Sequence, residues 1–280
     1  MLIDTHAHVQ FQSYKNDQQE VLDRCRAKNM ILNIVGTQKD TSAMAVALAE
    51  QHDFLYASIG THPIHLHSTH VDEEETSFQS REEDFDEVFY ERLVGSPKVI
   101  GIGECGLDLF HIPKDVSQEE VLKKQKQVFI KHARFANKHN LPLVIHCREA
   151  HDEMIEVLKN LPFSVRGTVH CYTSGWNHAE QYLELGLYLG FTGVLTFPPK
   201  KSQPEIQQNL VEVAKNMPFE RMVLETDSPY LAPAKYRGQR AEPWMLQEQI
   251  TFIAHLRGMS QEQVEQGIEE NTRRLFDRIQ

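Results

Sequence analysis

Apolar and polar residues alternate in two rhythms along the chain. Short runs rich in Val, Ile and Leu recur between longer stretches whose apolar positions repeat every three or four residues. The short runs predict strands at Leu2–His8, Ile31–Val35, Leu55–Ile59, Val99–Gly103, Leu143–His146, Gly167–His170, Tyr188–Phe191 and Met222–Leu224. The longer stretches predict helices at Gln18–Lys28, Asp40–Gln51, Asp84–Leu93, Gln118–His139, Ala150–Leu158, Trp176–Leu185 and Glu205–Asn216. Two more, Trp244–Leu256 and Gln261–Arg274, close the chain. Strands that alternate with helices predict parallel strands joined by crossovers. No Pro-rich or Ser/Gly-rich linker divides the sequence, so residues 1–280 are expected to form one domain.

A doubly wound sheet and a closed (β/α)8 TIM barrel both fit this alternation. Polar residues at strand ends favour the barrel. His6 and His8 end the first strand, His62 follows the third, and Glu104, His146 and His170 follow or end the next three. Asp227 follows the eighth. In a barrel, the carboxyl ends of all the strands ring one mouth, where such groups can meet. There is no GxGxxG fingerprint after a strand and no GxxxxGK loop, so a dinucleotide or ATP site is unsupported.

Composition narrows the class. The 280 residues are 40% hydrophobic and 25% charged, as in ordinary soluble proteins. No stretch resembles a membrane span, and the N-terminus lacks the features of an export signal. Cys25, Cys105, Cys147 and Cys171 are too scattered for a zinc knuckle or a disulfide framework, so a reduced cytoplasmic setting is expected. The formal charge of −11 argues against gripping long nucleic acid through broad electrostatics. It leaves room for a small site where metal ions supply positive charge. Much of the acid lies between Val71 and Glu87, which reads as a solvated loop and a helix start.

The opening stretch MLIDTHAHVQF holds the first candidate chemistry. In a strand, His6 and His8 face the same way and can converge on one ion, or both can face solvent. Each of the other candidates also has an ordinary reading alone. Glu104 could be an ion-pair partner or a cap, His146 could orient a loop, and His170 could be a core histidine. Asp227, before Ser228-Pro229, could make an Asx turn. Their joint placement at strand ends points to a metal site. Six His and carboxylate groups exceed one tetrahedral shell and suit two divalent ions sharing a carboxylate bridge. Cys105, Cys147 and Cys171 each follow one of these residues, so they should face the helices as inert buried thiols. Ala7 should likewise point away from the mouth.

The motifs IDTHAHV, GTHP, IGECGLD, HCREAHDE, HCYTSG, GFTGVLTFP and LETDSPYLAP run in order from Ile3, and the similarity ends with NTRRLF at Phe276. Together they resemble the TatD-like deoxyribonucleases, metal-dependent barrels of the wider amidohydrolase class. The resemblance implies that His6, His8, Glu104 and Asp227 bind one metal, and that Glu104, His146 and His170 bind the second. It also implies hydrolysis of phosphodiester bonds in DNA, often as a 3′-to-5′ exonuclease on single strands, with Mg, Mn or Zn. The expected substrates are DNA ends or short single-stranded nucleic acid. No membrane partner is expected, and the protein is expected to be a monomer or a weak homo-oligomer.

The proposed catalytic groups are Glu104, Asp227 and His62, acting on a water activated by two metals. His62 matches a family position near the phosphate. Arg148, two residues past His146, is a natural phosphate holder, and Arg237 and Arg240 are candidates for the same task. Among the aromatic residues, Phe11, Tyr14, Phe110, Tyr172, Phe197, Tyr230 and Tyr236 are near the expected mouth, where one or two could stack on an unpaired base. Ala241 stands where the family commonly has Asn, which puts one loop or substrate contact in doubt. The segment between His65 and Pro97 is longer and more acidic than usual in the family; overhanging the mouth, it would repel extended nucleic acid and favour short ends or small phosphodiesters, whereas at the rim it would be a solvated face. The rival reading is a barrel hydrolase acting on a small phosphoester, amide or lactone. Such enzymes often bridge their metals with a modified lysine, whereas Glu104 offers the bridge here.

Overall fold

The computed structural model describes residues 1–68, 70–73, 76–79 and 82–280. Eight parallel strands form one sheet: β1 (Leu2–Ala7), β2 (Met30–Val35), β3 (Leu55–Ile59), β6 (Val99–Asp108), β7 (Leu143–Arg148), β8 (Gly167–Val169), β9 (Tyr188–Phe191) and β10 (Met222–Leu224). β4 (His70–Glu73) and β5 (Thr76–Gln79) pair separately as an antiparallel hairpin. The expected loop across the acidic segment is thereby corrected: its Val71, Thr76 and Phe78 belong to a strand-forming stretch. Whether its acidic side chains overhang the mouth lies outside the described residues.

The sheet order β1-β2-β3-β6-β7-β8-β9-β10 follows the chain, as in a (β/α)8 barrel. Closure is made beyond the end of β10, where Asp227 N donates to His6 O (2.8 Å) and His8 N donates to Ser228 O (2.7 Å). The helices are α1 (Gln18–Ala27), α2 (Lys39–Ala49), α3 (Glu87–Val94), α4 (Gln118–His139), α5 (His151–Lys159), α6 (Trp176–Glu184), α7 (Pro204–Asn216), α8 (Leu246–Arg257) and α9 (Gln261–Leu275). Local chemistry sets several of their limits. Ser117 and Glu120 form a reciprocal capping box at the start of α4, and Asn140 ends that helix in the left-handed conformation (φ 51°). Asp86 caps α3, so this helix begins at Glu87 and not at Asp84. The stretch at Trp244 is a 3-10 turn over Pro243–Met245, and α8 starts only at Leu246.

Two apolar layers surround the strands. Ile3, Ile31, Tyr56, Ile100, Val144, Tyr188 and Val223 pack with Leu275, Phe276 and Ile279 from the end of the chain. These residues plug the lumen below the mouth. The larger cluster joins the outward strand residues to the helices. β7 alternates cleanly, with Leu143, Ile145 and Cys147 in the helix layer and Val144 in the plug. β6 is longer than its sequence suggests. The predicted strand stops at Gly103, yet β6 continues to Asp108, pairing with β7 as far as Arg148. At Gly106 (φ +158°) a Cβ would stand 1.8 Å from the His146 carbonyl oxygen, so glycine is what lets these strands pass.

Candidate metal centre

His6, His8, Glu104, His146, His170 and Asp227 meet at the carboxyl ends of the barrel strands. A bulge positions the opening pair. The register of β1 on β2 shifts between Asp4 and Ala7. Before the shift Ile3 faces the lumen; beyond it Ala7 packs in the outer layer, and His6 and His8 face the mouth. Asp4 anchors the bulge by accepting from His6 N (3.1 Å), Thr226 N (3.0 Å) and Thr226 Oγ1 (2.5 Å). Burial raises its carboxyl to about 7.

The distances fit a cation. His6 Nε2 lies 3.1 Å from His8 Nε2, 3.3 Å from Glu104 Oε2 and 3.7 Å from Asp227 Oδ1. His8 Nε2 lies 3.3 Å from Asp227 Oδ1 and 4.0 Å from Glu104 Oε2. Donors bound at metal–ligand distance around one tetrahedral ion stand about 3.3–3.6 Å apart. The tautomers agree. Val35 O only accepts, so His8 Nδ1, 2.7 Å away, carries the proton and Nε2 offers its lone pair to the site.

Glu104 faces two groups at once. Its Oε2 is near His6 and His8, while Oε1 is 3.0 Å from His146 Nδ1, 3.4 Å from His62 Nε2 and 3.9 Å from His170 Nε2. Burial opposes its charge, yet His62, His6 and His146 hold its carboxyl well below the usual range. Asp227 is lowered in the same way: burial is outweighed by His170 and His8. Both carboxylates are thus held ionised, as cation ligands must be.

Among the described residues, three candidate cation groups close within 4.8 Å: His6/His8/Asp227, His6/Glu104/His170 and His62/Glu104/His146. Glu104 with both His146 and His170 is not among these groups, although Glu104 Oε1 lies 3.0 Å from His146 Nδ1 and 3.9 Å from His170 Nε2. Hydrogen bonding separates His62 from the others. Its Nδ1 accepts from Ile64 N (3.1 Å) at the start of the Pro63–Leu66 turn, so Nε2 carries the proton and points a donor at Glu104. His62 is therefore set up to donate a hydrogen bond and not to ligate.

Two acids at the centre escaped the sequence reading. Glu225 is fully buried; its Oε1 lies 2.9 Å from His170 Nδ1 and 2.6 Å from Cys171 N, and its Oε2 accepts from Thr5 Oγ1 (3.2 Å). Gly190 leaves the room for it, since a Cβ there would stand 2.5 Å from Glu225 Oε1. Burial disfavours a charged His170, but Glu225 and Asp227 overcome this and raise its pKa to about 10. Asp108 accepts from His146 Nε2 (3.2 Å) and His111 Nδ1 (2.8 Å). Against its burial, it and Glu104 raise His146 to about 9. Each acid stands behind a histidine as an orienting carboxylate. The LETD and GLD motifs carried the signal: an acid two residues before Asp227 and another four after Glu104.

The cysteines are as inert as expected. Cys105 and Cys147 join the outer core and Cys171 meets Thr192 Oγ1 (3.4 Å); burial pushes all three thiols up, Cys147 to about 12. Two of the expected substrate contacts are engaged elsewhere. Arg240 is committed to Asp17 through Nη1–Oδ1 (2.8 Å) and Nη2–Oδ2 (2.5 Å), donates to Ser13 O and lies over Tyr14, so its charge braces the loop against α1. Tyr172 is 2% exposed, and its hydroxyl donates to Gly175 O (2.5 Å); its faces pack among Tyr182, Phe191 and His151 and are closed to a base. Arg148 lies on Phe110 (3.7 Å to the ring centroid) and Arg237 on Phe197 (4.2 Å). Ala241 is fully buried and packs with Ala232 and Met245; its carbonyl accepts from Tyr14 Oη.

A parallel barrel with clustered histidines and ionised carboxylates at its mouth defines a metal-dependent hydrolase. Known proteins place it more narrowly. The family model described as TatD related DNase matches residues 3–277, and the chain belongs to that family. It is 34% identical to the uncharacterized metal-dependent hydrolase YabD of Bacillus subtilis, with 99% of each chain covered. It is 31% identical to the 3′-5′ ssDNA/RNA exonuclease TatD of Pantoea vagans, over 98% of this chain and 99% of the relative. The crystal structure of the TatD homologue YjjV of Escherichia coli superposes with a TM-score of 0.80 at 26% identity, covering 99% of this chain and 98% of that one.

Proposed function

We propose that this chain is a two-metal phosphodiesterase, a 3′-to-5′ exonuclease on single-stranded DNA. The observation that carries this reading is Glu104, whose two oxygens face separate sets of histidines. In this reading His6, His8, Glu104 and Asp227 hold one ion, and Glu104, His146 and His170 hold the other. Bound divalent ions would supply Lewis-acid activation of a water and charge neutralisation at the phosphate.

The chain's own groups divide the remaining work. Asp227, in the left-handed conformation (φ 57°), aims its carboxylate between His8 and His170, where it orients the attacking water and takes its proton. Glu225 and Asp108 hold His170 and His146 in place. His62 directs its Nε2 hydrogen at the oxygen-rich side of the site, and Arg148 adds a cation as charge builds on the phosphate. Support for nucleic acid comes from relatives that are named exonucleases. A monomeric or weakly associating cytoplasmic enzyme is part of the same proposal.

The test is digestion of an end-labelled single-stranded oligonucleotide with Mg, Mn or Zn, beside Glu104→Gln. Wild type should release mononucleotides from the 3′ end, and the variant should lose turnover by at least about 100-fold, the scale seen when a key electrostatic group is removed. Full activity of Glu104→Gln would sink the bridged-metal mechanism. Cleavage of dihydroorotate or a small ester, with every oligonucleotide left intact, would favour the small-molecule reading.

A further inference from the structure

Phe110 is 51% exposed and stands out among the described residues as a phenylalanine left open to solvent beside the centre. Its position is built. Phe110 N and His111 N both donate to Asp108 Oδ1 (2.8 and 2.9 Å), and Leu109 N donates to Arg148 O (3.0 Å). Arg148 is the last residue of β7 and pairs in register with Asp108, the last residue of β6. Its guanidinium lies over the Phe110 ring at 3.7 Å. The other oxygen of Asp108 bonds His146, so one carboxylate fixes both the ring and a member of the metal centre.

Resting on the nuclease reading, we propose that Phe110 and Arg148 form a stacking platform for an unpaired nucleobase beside the scissile phosphate. The arginine covers one face of the ring, and the remaining exposure leaves apolar surface for a base. A guanidinium at this place also brings positive charge and N–H donors that phosphate oxygens can engage. Bases within a duplex already stack on both sides, so the platform selects an unstacked end. The charge of −11 gives such a contact weight. Few phosphates can be neutralised, and stacking supplies affinity that salt does not screen.

The test uses magnesium-loaded protein and a fluorescent, hydrolysis-resistant phosphorothioate oligonucleotide, with a normal or an abasic 3′-terminal residue. Phe110→Ala should weaken binding of the normal strand by about 5- to 150-fold. It should change the abasic strand by less than about 2-fold, with Phe110→Trp restoring affinity. Arg148→Ala should weaken both strands and make the slope of log affinity against log salt shallower by about 0.7. Equal effects of Phe110→Ala on both strands, no effect, binding of blunt duplex as tight as single strand, or no oligonucleotide binding would each overturn the platform. If binding depends on the base at Phe110 but unmodified strands survive with every metal, the platform stands and the nuclease reading falls.

Discussion

Acidification should loosen the protein through His132, a group remote from the metal ligands. His132 is fully buried on α4. Its Nδ1 donates to Val128 O (2.9 Å) and its Nε2 accepts from Thr61 N (2.9 Å), so the neutral ring satisfies both partners. Thr61 leads directly into His62. A second ring proton would face the Thr61 N–H and bury a charge, and burial accordingly lowers the His132 pKa from 6.5 to about 4. The unfolded chain therefore binds the proton first. The contribution is complete above pH 6.5, declines as pH falls, and is fully lost only below pH 4. Between pH 8 and pH 5 these two pKa values amount to about 2 kcal/mol. His132→Gln cannot titrate. Urea unfolding of both proteins at pH 8, 7, 6 and 5 should show the wild-type advantage shrinking by that amount, with the other titrating groups cancelling in the difference. NMR should follow the His132 ring titrating near pH 4. Parallel stability curves, or a ring titrating near 6.5, would refute the assignment.

Other perturbations test the centre. Gly106→Ala places a methyl on the His146 carbonyl; we expect a loss above about 3 kcal/mol, seen as poor soluble yield or a much lower urea midpoint. Unchanged stability would mean that the β6–β7 approach is looser than described. Glu225→Gln keeps the shape but removes the carboxylate behind His170, so metal affinity measured by chelator competition should fall about 10- to 100-fold. Equal affinity would remove Glu225 from the support of that ligand. Arg240→Ala breaks the pair with Asp17 and should cost about 1–2 kcal/mol in urea unfolding. Its KM on single-stranded DNA should stay within about 2-fold; a large rise in KM would return this arginine to the substrate.

Much of the fold was legible because the chain obeys local rules. β3, β9, β10 and α4 fall where their apolar runs and caps put them. The differences arise where long-range contacts override a local signal. Gly103 looks like punctuation, but the missing side chains of Gly103 and Gly106 let β6 and β7 continue together to Asp108 and Arg148. At the acidic segment, charge suggested a solvated loop, whereas its β-branched and aromatic residues pair as a hairpin. Net charge reports on solvation, while pairing depends on what alternates with the charges.

At the centre, the sequence showed the residues that meet but not the ones that hold them. Six strand-end residues were visible because they fall together at successive strand ends, which a barrel gathers at one mouth. Their supports were not, because Asp4, Asp108 and Glu225 have the chemistry of ligands and act one layer behind, through His6 N, His146 Nε2 and His170 Nδ1. Only hydrogen-bond direction distinguishes these roles. It makes His62 a donor toward Glu104, although spacing alone would allow it to ligate. The opening His-x-His shows the same limit. Its same-face spacing is real, but strict alternation from Ile3 would have put Ala7 in the lumen and both histidines outside. The bulge between Asp4 and Ala7 reverses the faces, and Asp4 secures it through Thr226, which leads to Asp227. The two ends of the barrel thus fix each other, and the pair becomes a site only once the sheet has closed.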